Sequence, residues 1–295
     1  MLLDTFGILF PIFLIAAAGF LFTKFFSLSI ETLVRIVTDL FMPILVFYSL
    51  YMSDVAPRTI ASLAGVTSFV VFALVILAAG YSKLFKIDPK YFIPPIIFMN
   101  SGFLGIPLMK FWCGIAPMIY FVVYDQIQTI YIFTLAILIV TGGFSTKGFK
   151  EMVKSPMLWA IVAGFLFNFL AVPIPDFLLR TLDFGGSAAG PLSIFALGAS
   201  LNMRKFTLDI HLVAALLLRT VGGFLVGWLG CILFNITGPV KTVVLVASML
   251  PSAVLSFVLP ERYGVKADFP GAVVLISTVI GVFTIPIAFW LASLL

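Results

Sequence analysis

The sequence predicts an all-α integral membrane protein of ten transmembrane helices, arranged as two inverted five-helix repeats. Three observations carry that expectation. First, 62% of the 295 residues are hydrophobic and only 10% are charged, against about 45–50% and about 25% in a soluble globular chain. With a mean hydropathy of +1.24, too little polar surface exists to coat a water-soluble body, so lipid is the solvent. Second, apolar runs of bilayer length recur along the whole chain. Third, the two halves resemble each other at a nearly constant offset.

The runs are bounded by polar or Pro/Gly punctuation. They fall at 5–23, 32–52, 60–82, 92–112 and 117–141, then at 156–174, 177–202, 210–234, 240–259 and 269–294. A spanning helix needs about 20 apolar residues, so ten of them consume roughly two-thirds of the chain and leave only short loops. That leaves no room for an appended soluble catalytic domain. The runs are too long and too uniformly apolar for the alternating strands of a β-barrel. Asp4 but no Lys or Arg precedes the first run. A secretory signal would carry a positive n-region there, so a retained helix is expected. The predicted units are a first repeat at 1–141, a short cytoplasmic linker at 142–155 and a second repeat at 156–295.

Basic residues in short loops stay on the cytoplasmic side. The odd-numbered loops hold Lys24, Lys83, Lys86, Lys90, Lys147, Lys150, Lys154, Arg204, Lys205, Arg262 and Lys266; the even-numbered loops hold only Arg58, Lys110 and Lys241. Eleven against three puts the odd loops in the cytoplasm and both termini outside, in the cell or inner membrane. The net charge of +5 therefore reports topology, and no nucleic-acid partner is expected. Cys113 and Cys231 show no CxxC or Cys/His spacing, so neither a disulfide framework nor a metal site is expected.

The repeat is visible residue by residue. Ala18-Gly19-Phe20-Leu21-Phe22 recurs as Ala163-Gly164-Phe165-Leu166-Phe167, and Pro43 with Phe47 recurs as Pro191 with Phe195. Met99, Gly114 and Phe133-Thr134 recur as Met249, Gly264 and Phe283-Thr284. Five helices are an odd number, so the second copy enters the membrane upside down. Inverted repeats of this kind underlie many alternating-access carriers, whose sites lie at the midplane between the repeats.

Two spans contain residues that interrupt a helix. The fourth reads Met99-Asn100-Ser101-Gly102-Phe103-Leu104-Gly105-Ile106-Pro107, and the ninth reads Ser248-Met249-Leu250-Pro251-Ser252-Ala253. A break exposes backbone groups that lipid cannot satisfy, so it survives only where it lines a cavity. Two half-helix N-termini facing one point offer free N–H groups and positive dipole ends to an anion. Asn100, Ser101, Gly102, Pro107, Pro251 and Ser252 are the candidate substrate-binding residues. The alternative is a pair of ordinary kinks tolerated by neighbouring helices.

With these residues in view, the chain resembles the auxin efflux carrier family, mostly bacterial transporters related to plant PIN-type auxin exporters and to malonate or malate carriers. The resemblance rests on Asn100 to Pro107, on Pro191 to Leu201, on Leu250-Pro251-Ser252-Ala253-Val254 with Glu261 to Gly264, and on the ending Ser277-Thr278 through Pro286. It implies that helices four and nine cross at their breaks, between scaffold and transport helix groups, in a bile-acid sodium symporter-like fold. It also implies a homodimer, and a substrate carboxylate held at the crossover with Asn100 contributing. The ninth span has no Asn beside Pro251-Ser252, and the short 142–155 segment replaces the long cytoplasmic loop of the plant proteins.

Charged groups inside a span cost about 2.5–3.5 kcal/mol each on insertion scales and so need a reason. Asp125 sits in Tyr124-Asp125-Gln126-Ile127-Gln128-Thr129, with Gln128 on the same helical face. Asp125, Gln128, Asp39 and Arg219 are the candidates for coupling transport to H+ or Na+. Asp39 follows Arg35 by four residues, the spacing of a same-face ion pair, and Arg180 and Asp183 are similarly placed. Arg219 has no carboxylate three or four residues away; it meets either an acid on another helix, such as Asp125 or Asp39, or the substrate.

No HExxH, GxSxG or phosphate-loop motif occurs, so no catalytic residue and no cofactor is expected. The leading expectation is a secondary active transporter of small organic anions, exporter or permease, with a small carboxylate as substrate. A drug/metabolite-type ten-helix carrier shares the inverted halves but needs no breaks in helices four and nine. A non-transporting membrane sensor is the alternative from another class.

Overall fold

In a computed structural model the described residues are 2–52, 57–142, 146, 150, 153–201 and 209–295. Among them the secondary structure is helical throughout, apart from one isolated antiparallel bridge between Met99 and Ser252. Most of the 142–155 linker, including Lys147, and the loop residues Arg204 and Lys205 lie outside the described residues.

The helices are α1 (Leu2–Phe25), α2 (Ile30–Tyr51), α3 (Pro57–Phe85), the short α4 (Pro89–Phe92) and α5 (Pro94–Ile97), and α6 (Ile106–Cys113). Next, α7 starts as Ile115–Tyr131 and continues to Thr141. The second half holds α8 (Pro156–Phe169), α9 (Asp176–Ser187), α10 (Ala189–Leu201), α11 (Ile210–Leu233), α12 (Gly238–Met249), α13 (Leu255–Arg262) and α14 (Asp268–Leu294). Among the described residues five stretches are long and apolar enough to cross a bilayer: Ile30–Tyr51, Ile60–Phe85, Pro117–Thr141, Ile210–Leu233 and Asp268–Leu294. The fourth and ninth predicted spans are cut in two. The sixth stops at Phe169 rather than 174, because the chain turns at Ala171 (φ 49) ahead of Pro173 and Pro175.

Local chemistry starts several helices where polar residues precede the apolar runs. Ser29, Asp88, Ser155 and Asp209 each accept a backbone N–H of the following turn, satisfying one of the donors a helix start leaves open. Long apolar side chains such as Phe169, Phe184 and Leu84 stand exposed on the outer surface, as a lipid solvent requires.

Close packing is set by small residues. α1 lies against α10, and α8 lies against α2. A Cβ on Gly19 would strike the Phe195 carbonyl, and a Cβ on Gly164 would strike the Phe47 carbonyl. The rings follow the same pattern: Phe22 meets Phe195 edge-on at 5.7 Å, and Phe167 meets Phe47 edge-on at 5.5 Å. On the facing side, a Cβ on Gly198 would overlap the Ala16 backbone. Since the obstruction is main chain, Gly198→Val must push α1 off α10, at the cost of about 1–3 kcal/mol or more expected for overpacking. A clear fall in detergent Tm is the expected result, and an unchanged Tm would refute the close approach.

The structure revises two charge assignments. Asp39 does not pair with Arg35. Arg35 meets Glu31 at 3.0 Å, and Asp39 takes a two-point contact from Arg262, with Nη2 to Oδ2 at 2.8 Å and Nε to Oδ1 at 3.1 Å. Arg35 has Glu31 one turn back on an exposed face, whereas Asp39 sits in a π turn (Val37–Phe41) that rotates it toward α13. Among the described residues Arg180 and Asp183, both exposed, form no ion pair.

Candidate functional site

The site begins with what the breaks do to the backbone. After α5 the chain is extended at Phe98 (φ −110, ψ 127), and it resumes as a π turn over Ser101–Gly105 leading into α6. Pro107 belongs to the first turn of α6, where a missing N–H costs nothing; its side chain lies outside the described residues. In the second break Leu250 is extended (φ −60, ψ 155), as expected for a residue before proline. The two extended segments pair with each other. Asn100 N–H donates to the Pro251 carbonyl at 2.8 Å, and Ala253 N–H donates to the Phe98 carbonyl at 2.9 Å. Two backbone groups freed by each break are thus satisfied by the other, part of what irregular chain at membrane depth requires.

Side chains from α7 and α14 complete the crossing. Gln128 brackets the Met99 peptide: its Oε1 accepts the Met99 N–H at 3.3 Å, and its Nε2 donates to the Met99 carbonyl at 2.6 Å. The same Nε2 donates to Ser101 Oγ at 2.8 Å, and Ser101 Oγ donates to Asp125 Oδ1 at 2.6 Å. Ser277 Oγ accepts the Ser252 N–H at 3.1 Å and donates to the Val274 carbonyl at 3.1 Å. Pro251 packs over Gly281.

Beside the crossing lies a cavity of about 170 Å³. Asn100, Ser101 and Gly102 form one wall, and Asp125, Gln126, Gln128 and Thr129 of α7 form another. Met42, Val46, Ser49 and Leu50 of α2 supply a largely apolar third side, following helical periodicity. Asp125 stands at the start of the α6 arm: a Cβ on Gly102 would lie 3.1 Å from its Oδ1. Two cavity residues have a buried polar atom with no hydrogen-bond partner, Nδ2 of Asn100 and Oε1 of Gln126.

Of the six substrate candidates, the structure brings Asn100, Ser101 and Gly102 to the cavity wall. Pro251 and Ser252 stand behind it, in the paired backbone, and the Ser252 Oγ is buried without a partner. Among the coupling candidates, Asp125 and Gln128 line the cavity, while Asp39 lies apart beside Arg262. Arg219 meets neither Asp125 nor Asp39. It is fully buried and donates from Nη1 to the Ile96 carbonyl at 2.7 Å and from Nη2 to the Ser248 carbonyl at 2.6 Å. Gln126 and the α2 wall were not singled out by sequence. Gln126 could have been found as an amide in the polar run around Asp125, but the α2 wall is apolar and carries no signal.

Comparison with known proteins places this architecture. Residues 141–290 match the family model described as membrane transport protein. An uncharacterized transporter of Methanothermobacter thermautotrophicus is 27% identical over 274 residues, covering 87% of each chain. An uncharacterized transporter of Methanocaldococcus jannaschii is 27% identical over 199 residues, 65% of each chain. A provisionally named malonate transporter of Rhizobium meliloti is 33% identical over 141 residues, 46% of this chain and 43% of the relative. The matched half contains the second break, the Arg219 helix and Ser277, and on this evidence the chain belongs to the membrane transport protein family, the auxin efflux carriers.

Proposed function

We propose that the protein is a secondary active transporter of small organic anions, working by alternating access across the cell membrane, and not an enzyme. The observation that carries the proposal is the cavity at the paired breaks, walled by an unpartnered Asn100 amide and the half-buried carboxylate of Asp125. Asn100 Nδ2 and the first-turn amides of the α6 arm offer donors and a positive helix end to a carboxylate ligand. The family supports transport. The name of the Rhizobium relative supports malonate as a first substrate to try.

Ten spans in two inverted repeats belong to the same reading, with both termini outside. The exchange of contacts between mates supports the repeat: Gly19 and Phe22 touch Phe195, while their mates Gly164 and Phe167 touch Phe47. The interrupted fourth and ninth spans favour this carrier over a drug/metabolite-type one, which needs no breaks. A homodimer in the bilayer completes the reading.

Coupling follows from charge. An ionised Asp125 and a substrate carboxylate about 5 Å apart would repel by about 3 kcal/mol at an effective dielectric of about 20. The loaded site therefore carries a proton or Na+ on Asp125, and anion and cation cross together.

The test is flux of labelled malonate into proteoliposomes. Asn100→Ala, folded and monodisperse, is expected to lower the rate at least tenfold. Transport by that variant at the wild-type rate would remove the crossover as the binding site.

A further inference from the structure

In an unbroken helix the carbonyl of residue 96 would accept the N–H of residue 100, and that of 248 would accept the N–H of 252. Both donors have been diverted. Asn100 N–H goes to the Pro251 carbonyl, and Ser252 N–H goes to Ser277 Oγ. Among the carbonyls the breaks leave without a helical donor, Ile96 and Ser248 are the two that the Arg219 guanidinium takes, one on each Nη. One side chain on a third helix thus takes an open carbonyl from each interrupted helix, close to the point where each gives way.

The surroundings fit this role. Arg219 lies within a π turn of α11, Leu218–Gly222, a wider turn that often accompanies functional sites. Four residues on, a Cβ at Gly223 would collide with the Ser248 carbonyl and with Nη2 of Arg219. A Cβ at Gly222 would meet nothing nearer than 3.7 Å. Among the described residues no carboxylate lies within ion-pair distance of Arg219. A cation is costly to bury at membrane depth, so its retention needs a purpose that two carbonyl hydrogen bonds supply. Lysine cannot substitute: it is a compact point charge, without the planar fork that reaches two acceptors at fixed separation.

We propose that Arg219 is the positioning residue of the crossover, a guanidinium clasp that holds both breaks in register and joins the two interrupted helices into one unit during transport. This rests on the transport reading only for its flux measurement, and one arm of the test is independent of substrate.

That arm uses spin labels at Lys90→Cys, in α4 just ahead of α5, and at Lys241→Cys, in the first turn of α12, in a Cys113→Ser, Cys231→Ala background. The parent is expected to give one narrow distance distribution. Arg219→Lys and Gly223→Ala should each broaden it at least twofold, and Gly222→Ala should leave it narrow. In proteoliposomes Arg219→Lys and Gly223→Ala should raise the malonate KM at least tenfold, while Gly222→Ala keeps the parent value. If Arg219→Lys does not fold, Gly223→Ala carries the test, since the arginine is kept and only its seat is disturbed. Unchanged distances together with an unchanged KM would overturn the clasp, and so would a loss confined to Vmax. If the parent carries no malonate, the substrate assignment fails, and the distance distributions alone decide on Arg219.

Discussion

Replacing Asp125 by Asn is expected to leave malonate exchange intact while abolishing its accumulation against a gradient. Asparagine is nearly the same size and cannot ionise, so it fixes the site in the neutral form that the loaded carrier adopts. Ser101 Oγ, which donates to Asp125 Oδ1 at 2.6 Å, retains an acceptor in the amide oxygen. Gly102 leaves open the space against the carboxylate, so the local packing survives. With the membrane potential clamped, a pH difference of one unit drives an accumulation of about tenfold in one-proton symport, equivalent to about 1.4 kcal/mol. The variant should show a ratio near one at every imposed pH or Na+ gradient, with equilibrium exchange within a few-fold of the parent. The sign is fixed by repulsion. Where Asp125 is charged the parent binds anion poorly, so parent affinity falls as pH rises and the variant's does not. Accumulation by the variant that still follows the imposed gradient would remove Asp125 from coupling.

The two breaks were legible because a membrane sequence is monotonous: prolines, glycines and an Asn-Ser pair stand out against Leu, Ile, Val and Phe. The hydropathy runs were legible for the same reason, since lipid demands long apolar stretches. What could not be read were the partners. Arg219 looks unpaired in the sequence because no carboxylate stands at helical spacing from it, whereas its partners are two main-chain carbonyls that any residue could supply. Asp39 looked paired with Arg35 because four residues is the right spacing, but Glu31 competes for Arg35 on the exposed face. Arg262, the partner it does have, is 223 residues away. Ser252 and Pro251 look like ligand contacts from their place in the break, yet their backbone is spent on closing the crossing. The cavity wall of α2 is apolar and therefore indistinguishable, in sequence, from any lipid-facing helix.

The largest structural effect should come from Gln128→Leu. Gln128 was a coupling candidate by its spacing from Asp125, but its amide serves the crossing: it satisfies both the N–H and the carbonyl of Met99 and supports Ser101 Oγ. Leucine is of similar size and removes all three hydrogen bonds while filling the space. Each buried polar group left unpaired costs about 1–3 kcal/mol. Of the three, only the Met99 N–H is left without a partner, since the Met99 carbonyl keeps the Ser101 N–H and Ser101 Oγ keeps Asp125. With about 0.5–1.5 kcal/mol for each of the other two lost bonds, the summed loss is about 2–6 kcal/mol, a large fraction of the 5–15 kcal/mol that typically holds a folded domain. Gln128→Leu is expected to lose transport completely and to lower the detergent Tm well below that of Asp125→Asn. Gln128→Glu separates bonding from charge. As a carboxylate it keeps an acceptor for the Met99 N–H but loses the donor to the Met99 carbonyl, and it adds a negative charge beside Asp125. It should therefore fold less stably than the parent and bind malonate worse. A Gln128→Leu protein with the parent's Tm would show that the crossing does not depend on this side chain.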